Sequence, residues 1–154
     1  MNFRGKVVIV TGANRGIGRS IAIAYAEQGA KLALTDLDQH VDKELDKGIT
    51  SLSGTATYIQ TDVSNPNDIV ELIRKTVEVY GTIDILINNV GISIWKSPYE
   101  LTVEEWDKVI NTNLRSVFLC LREAAKIMRK NGGGSIVNIS STRAQMSQPN
   151  TESY

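Results

Sequence analysis

The chain has 154 residues, 42% hydrophobic and 22% charged, and its 17 basic side chains balance 17 acidic ones. That balance gives no basic excess for nucleic acid, no apolar run is long enough to span a membrane, and the length suits one domain able to bury a core. A strand-like run follows the N-terminus at once without a signal-peptide pattern, and the one cysteine, Cys120, cannot form an internal disulfide, so a cytoplasmic setting is expected.

The first element is a β-branched strand over 6–11, KVVIVT, which runs into Gly12, Gly16 and Gly18. An apolar helix then opens with Ile17, Ile21 and Ala24. A second strand over 31–36 ends on Asp36, and a charged surface helix follows, carrying the single histidine, His40, as a solvated residue. A third strand spans 56–62. The next helix, 65–80, places Ile69, Leu72, Ile73, Thr76, Val77 and Tyr80 on one face, with Ser64 as its cap and Pro66 in its first turn. A fourth strand spans 83–89. A long helix then begins at Thr102, with Glu105 completing a capping box, and stops at the glycines of KNGGG. Its apolar stripe runs through Trp106, Val109, Ile110, Val117, Cys120, Leu121, Ala124 and Met128, and Asn113 falls on the same face. A fifth strand spans 135–140.

Strands separated by helical crossovers run parallel, so the expected fold is α/β: a doubly wound parallel sheet in a single domain. Ligands of such sheets bind beyond the carboxyl ends of the strands. All five strands exit onto polar or glycine residues: Thr11-Gly12, Asp36, Asp62, Asn88-Asn89 and Ser140-Ser141. In the first βα turn, glycines would turn the chain, admit a pyrophosphate to the backbone and let helix pack on strand, although their spacing is not G-x-G-x-x-G.

Asp36 can accept hydrogen bonds from both ribose hydroxyls of an adenosine and repel a 2′-phosphate; capping the next helix is the plainer role, which Asp38 could fill instead. Arg15 pulls the other way, since a guanidinium can grip a 2′-phosphate. NAD is therefore favoured, with NADP as the alternative. Asn113 has two readings, a polar bridge to a neighbouring strand or a side chain positioned to serve a site. No cluster has metal-ligand spacing.

TGANRGIG at 11–18, the Asp62-Val63 pair, NNVG at 88–91, NTNLRSVF at 111–118 and NISS at 138–141 with Tyr154 together resemble the short-chain dehydrogenase/reductase family. The likeness covers the whole chain and is similar in detail to the bacterial 3-oxoacyl-carrier-protein reductases and the sugar or secondary-alcohol dehydrogenases. It implies a Rossmann-like, dinucleotide-binding domain over 1–154, holding the first five strands of seven. It further implies hydride transfer between nicotinamide and a small-molecule carbonyl or secondary alcohol, and a homodimer or homotetramer at full length.

Residue by residue, the resemblance makes Thr11, Gly12, Asn14, Arg15, Gly16, Ile17 and Gly18 the phosphate loop. Asp36 becomes the ribose anchor, Asp62 and Val63 lie beside the adenine, and Asn89, Val90 and Gly91 lie behind the cofactor. Val90 departs from the family's usual alanine. Asn113 resembles the residue that holds a relay water, Ser141 the serine that orients the substrate carbonyl, and Tyr154 the acid/base tyrosine. In the family a lysine four residues after that tyrosine lowers its pKa from about 10. Position 158 lies beyond this chain, so the expectation is a C-terminally incomplete domain that is inactive by itself.

Overall fold

β1 (Val7–Thr11) is buried along its whole length, which is why it takes the centre of a sheet covered on both faces. The computed structural model describes residues 2–52, 54–146 and 148–154. β2 (Lys31–Asp36) and β4 (Ile85–Asn88) pair with β1 on either side, Val8 standing opposite both Leu32 and Ile85. β3 (Thr55–Gln60) lies outside β2, and β5 (Ser135–Asn138) lies outside β4. The order is β3-β2-β1-β4-β5, every pair is parallel, and all carboxyl ends therefore lie along one edge. Successive strands progress away from β1 in opposite directions, so the reversal falls between β1 and β4, where such sheets open a crevice.

The strands alternate their side chains between two cores. Val8, Val10, Leu32 and Leu34 pack on one face with Ala22 and Ala26 of α1 (Gly16–Glu27) and Leu45 and Ile49 of α2 (Lys43–Ser51). Ile9, Ala33 and Leu86 pack on the other with Ile69 and Leu72 of α3 (Pro66–Tyr80) and Cys120 and Ala124 of α5 (Ser116–Lys130). α4 (Val103–Ile110) carries the expected Thr102–Glu105 capping box, with both reciprocal hydrogen bonds formed.

The expected parallel doubly wound sheet is thus present, and the differences are local. Ser64 does not cap α3, because its hydroxyl donates to Asp62 Oδ1 at 2.7 Å; Asn65 caps instead, accepting from the Asn67 N–H at 3.0 Å. Neither Asp36 nor Asp38 caps α2. Asp42 does, so His40 lies ahead of the helix rather than inside it. β3 ends at Gln60 and β5 at Asn138, each two residues short of the expected strand. The expected long helix is interrupted by a π turn, Asn111–Arg115, that separates α4 from α5. One extra residue in that turn shifts the phase between α4 and α5; Trp106 is 43% exposed, while Val109, Cys120 and Met128 are buried.

Candidate active site

Gly12, at the exit of β1, has φ +66, and Gly16, at the start of α1, has φ +54; both lie in the left-handed region that glycine adopts without strain. Gly18 is required for another reason. A Cβ there would stand 2.1 Å from the Gly12 carbonyl oxygen, so helix and loop touch backbone to backbone. Side chains cap α2, α3 and α4, whereas none caps α1 and no acidic residue occupies its first turn. Its first N–H groups and positive dipole end are thus left without a side-chain acceptor or an acidic neighbour in the first turn.

The rims of β1 and β4 are tied together here. Thr11 Oγ1 accepts from the Asn89 N–H at 2.9 Å, and Asn89 Nδ2 donates to the Thr11 and Gly12 carbonyls at 3.0 and 3.2 Å. Thr11 and Asn89 thereby set the geometry of the glycine loop.

Beside this loop opens a cleft of about 590 Å³. Of the residues expected to hold a dinucleotide, Gly12, Arg15, Asp36, Asp62, Val63, Asn89, Val90 and Gly91 line it. Thr11, Asn14, Gly16, Ile17 and Gly18 do not; they lie behind or beside it. Asn14 is only 4% exposed and its side chain is fully engaged. Its Nδ2 donates to Asp38 Oδ2, the His40 carbonyl and the Tyr58 hydroxyl, and its Oδ1 accepts from the Asp42 N–H at 2.9 Å. The Asn14 N–H donates to Asp36 Oδ2 at 3.0 Å, and Asp36 Oδ1 accepts from the Leu37 N–H at 2.8 Å. Asp36 is therefore aimed by backbone donors on both oxygens. Burial, reinforced by the Asp36 charge, pushes the Tyr58 phenol up to about 12.

A second pocket, of about 270 Å³, adjoins the cleft and shares Val90 and Gly91 with it. Asn113, Ser141 and Tyr154 all line this pocket, although they are spread over 41 positions of sequence and three separate elements. Asn113 sits in the π turn, and its amide clasps one peptide in the loop after β4: Oδ1 accepts from the Ile92 N–H and Nδ2 donates to the Ile92 carbonyl. The bridge runs to a loop, not to a strand. Ser141 accepts from the Arg143 N–H at 3.2 Å, capping a 3₁₀ turn over Thr142–Ala144. Tyr154 is 45% exposed. Asn88 Nδ2 donates to Asn138 Oδ1 at 2.8 Å, joining the exits of β4 and β5 that support the pocket.

The cleft has lining residues that the sequence reading did not single out, among them Leu37, Thr61, Ile92, Lys108 and Thr112. Leu37 and Thr61 directly follow strand ends, so the same rim rule could have found them. Lys108 carries no motif, and its place on the cleft wall follows from where α4 packs.

Residues 6–154 match the family model described as short chain dehydrogenase. The chain is 42% identical over 150 residues to an uncharacterized oxidoreductase of Thermotoga maritima, covering 97% of this chain and 59% of that protein. It is 36% identical over 155 residues to a 3-oxoacyl-[acyl-carrier-protein] reductase of Staphylococcus epidermidis, covering 97% of this chain and 62% of that one. Among solved structures, a short-chain type dehydrogenase/reductase from Mycobacterium marinum superimposes with a TM-score of 0.95 at 29% identity, covering 99% of this chain and 63% of that chain. The chain thus spans about three-fifths of the length of the relatives it matches.

Proposed function

The chain belongs to the short-chain dehydrogenase family, and from that premise we propose that its protein transfers hydride between a nicotinamide dinucleotide and a small carbonyl or secondary-alcohol substrate. One observation carries the reading: a nucleotide-sized cleft beside an uncapped helix opens, through Val90 and Gly91, into a pocket lined by Asn113, Ser141 and Tyr154.

The residues present fit a dinucleotide. The approach at Gly18, with no room for a Cβ, and the free N–H groups of α1 suit a pyrophosphate. Asp36, with both oxygens fixed from behind, suits the ribose hydroxyls of the adenosine half, and Asp62 and Val63 suit the adenine. Asn89, Val90 and Gly91 form the wall behind the nicotinamide half. When bound, the cofactor supplies the hydride donor or acceptor. A carboxylate at Asp36 supports NAD over NADP.

In the adjoining pocket Ser141 donates to the substrate oxygen, and Tyr154 gives that oxygen a proton in reduction or removes one in oxidation. Asn113 fixes the loop between cleft and pocket, and the π turn it occupies suits a water that relays the proton. The 3-oxoacyl reductase among the relatives acts on a carbonyl, which supports a carbonyl substrate here. Trp106, Phe118 and Leu121, exposed on α4 and α5, suit a homo-oligomeric contact.

The test has two steps. Titration of the chain with NADH, followed by nicotinamide fluorescence, should show saturable binding that Asp36→Ala weakens. Reduction of a panel of small ketones by the longest form of the protein should then depend on Tyr154. Absence of nucleotide binding in both forms would overturn the reading.

A further inference from the structure

Arg15 and Asp38 meet at the adenosine end of the cleft, and the pair has a consequence for which nucleotide the site accepts. Arg15 lines the cleft together with Asp36 and is exposed over 74% of its side chain. Its Nη2 lies 3.4 Å from Asp38 Oδ2. Asp38 does not drift on the surface: the same oxygen accepts from Asn14 Nδ2 at 3.2 Å, and its carbonyl accepts from the Tyr58 hydroxyl at 2.8 Å. The neighbouring cation, Arg19, is spent elsewhere, on the Asn14 carbonyl, Asp42 and Glu44. Arg15 is therefore the arginine beside Asp36 that could meet a phosphate, and it already faces a carboxylate held by a buried asparagine.

We propose that Asp38 is a specificity residue that withholds Arg15 from a 2′-phosphate, so that NAD preference rests on two carboxylates, Asp36 and Asp38. The proposal rests on the nucleotide reading of the cleft. A 2′-phosphate would bring roughly two negative charges beside Asp36. It would find Arg15 either paired or obliged to leave Asp38 uncompensated. An exposed pair of this kind adds little to folding stability, so its removal changes the charge offered to the ligand more than it changes the fold.

Adenosine 5′-phosphate and adenosine 2′,5′-bisphosphate are the probes, with binding measured by calorimetry on the chain, independent of turnover. The unmodified chain should prefer the 5′-phosphate. Asp38→Asn, which keeps an acceptor for Asn14, should shift the ratio towards the bisphosphate by about tenfold, equivalent to about 1.4 kcal/mol. Adding Arg15→Gln should abolish that shift, which separates Arg15 from Lys108, the other cation lining the cleft among the described residues. Arg15→Gln alone should move the ratio less than about twofold. A ratio unchanged by Asp38→Asn overturns the proposal and leaves the nucleotide reading standing. So does a tenfold loss of bisphosphate affinity in Arg15→Gln alone, an arm that survives if Asp38→Asn fails to fold. If neither probe binds, the nucleotide reading itself fails, and the proposal with it.

Discussion

Asn113 and Ile92 are joined by a reciprocal pair of hydrogen bonds, the side-chain oxygen accepting at 2.9 Å and the side-chain nitrogen donating at 2.8 Å. A single amide thus pins the π turn to the loop that divides the cleft from the pocket. Asn113→Ala removes both partners of the Ile92 peptide. Loss of a satisfied pair costs about 1–3 kcal/mol, so urea denaturation should show a fall of that order. If stability were unchanged, the clasp would not be holding the loop.

Gly18 and Gly16 should respond differently to alanine. At Gly18 the added methyl meets the Gly12 carbonyl at 2.1 Å, and backbone must move to admit it. Overpacking of this kind costs about 1–3 kcal/mol or more, and the shift would also disturb the loop offered to a phosphate. At Gly16 the space is open and only the φ of +54 is strained, a cost of about 1–2 kcal/mol. Gly18→Ala should therefore lower both the unfolding midpoint and nucleotide affinity more than Gly16→Ala. The opposite order would count against close packing as the reason for this glycine.

The sheet and the rim were legible because they rest on local pattern. Val7–Thr11 is apolar on both faces, and polar residues close every strand, so topology placed Asp36, Asp62, Asn89 and Ser141 on one edge. Two features escaped for physical reasons. The π turn carries no propensity signal, because a single extra residue within a helical pattern leaves every local preference helical. Asn14 looked like a ligand contact from its place in the glycine loop, yet its side chain faces inward to Asp38, His40, Asp42 and Tyr58. Caps were ambiguous wherever several candidates compete, as Ser64 and Asn65 do, and Asp62 decided the outcome by capturing the serine hydroxyl.

The same inward network makes an alkaline prediction. Burial, then the charge of Asp36, raises the Tyr58 phenol from 10.0 to about 12. The folded chain keeps this proton to higher pH than the unfolded chain does. The contribution is complete below pH about 10 and is lost as pH rises through about 12. Stability should therefore decline across that window. Cys120, raised by burial from 9.0 to about 12, contributes with the same sign. Tyr58→Phe should flatten part of the decline and remove one late phenolate absorbance change, leaving that of Tyr80, which burial also raises. An unchanged slope would mean that Tyr58 ionises no later in the folded chain.

The Ser141 hydroxyl supplies the sharpest catalytic expectation. Its oxygen accepts from the Arg143 N–H at 3.2 Å, while no acceptor for its own proton is found among the described residues. The side chain lines the pocket that also holds Tyr154, so under the proposed function its O–H would donate to a substrate oxygen. Removing one such donor costs about 10²–10³ in rate in oxyanion sites, and removing a positioned acid/base group costs about 10²–10⁴. In the longest form of the protein, Ser141→Ala and Tyr154→Phe should each lower kcat/KM for ketone reduction by factors of that order. Nucleotide affinity should stay within about twofold, since a binding change that small, under 0.5 kcal/mol, signals an untouched cleft. If both groups act on one oxygen, as proposed, the double variant should lose less than the product of the two single losses. Fully multiplicative losses would show that the two side chains act on separate steps, and the assignment of a shared substrate oxygen would fall.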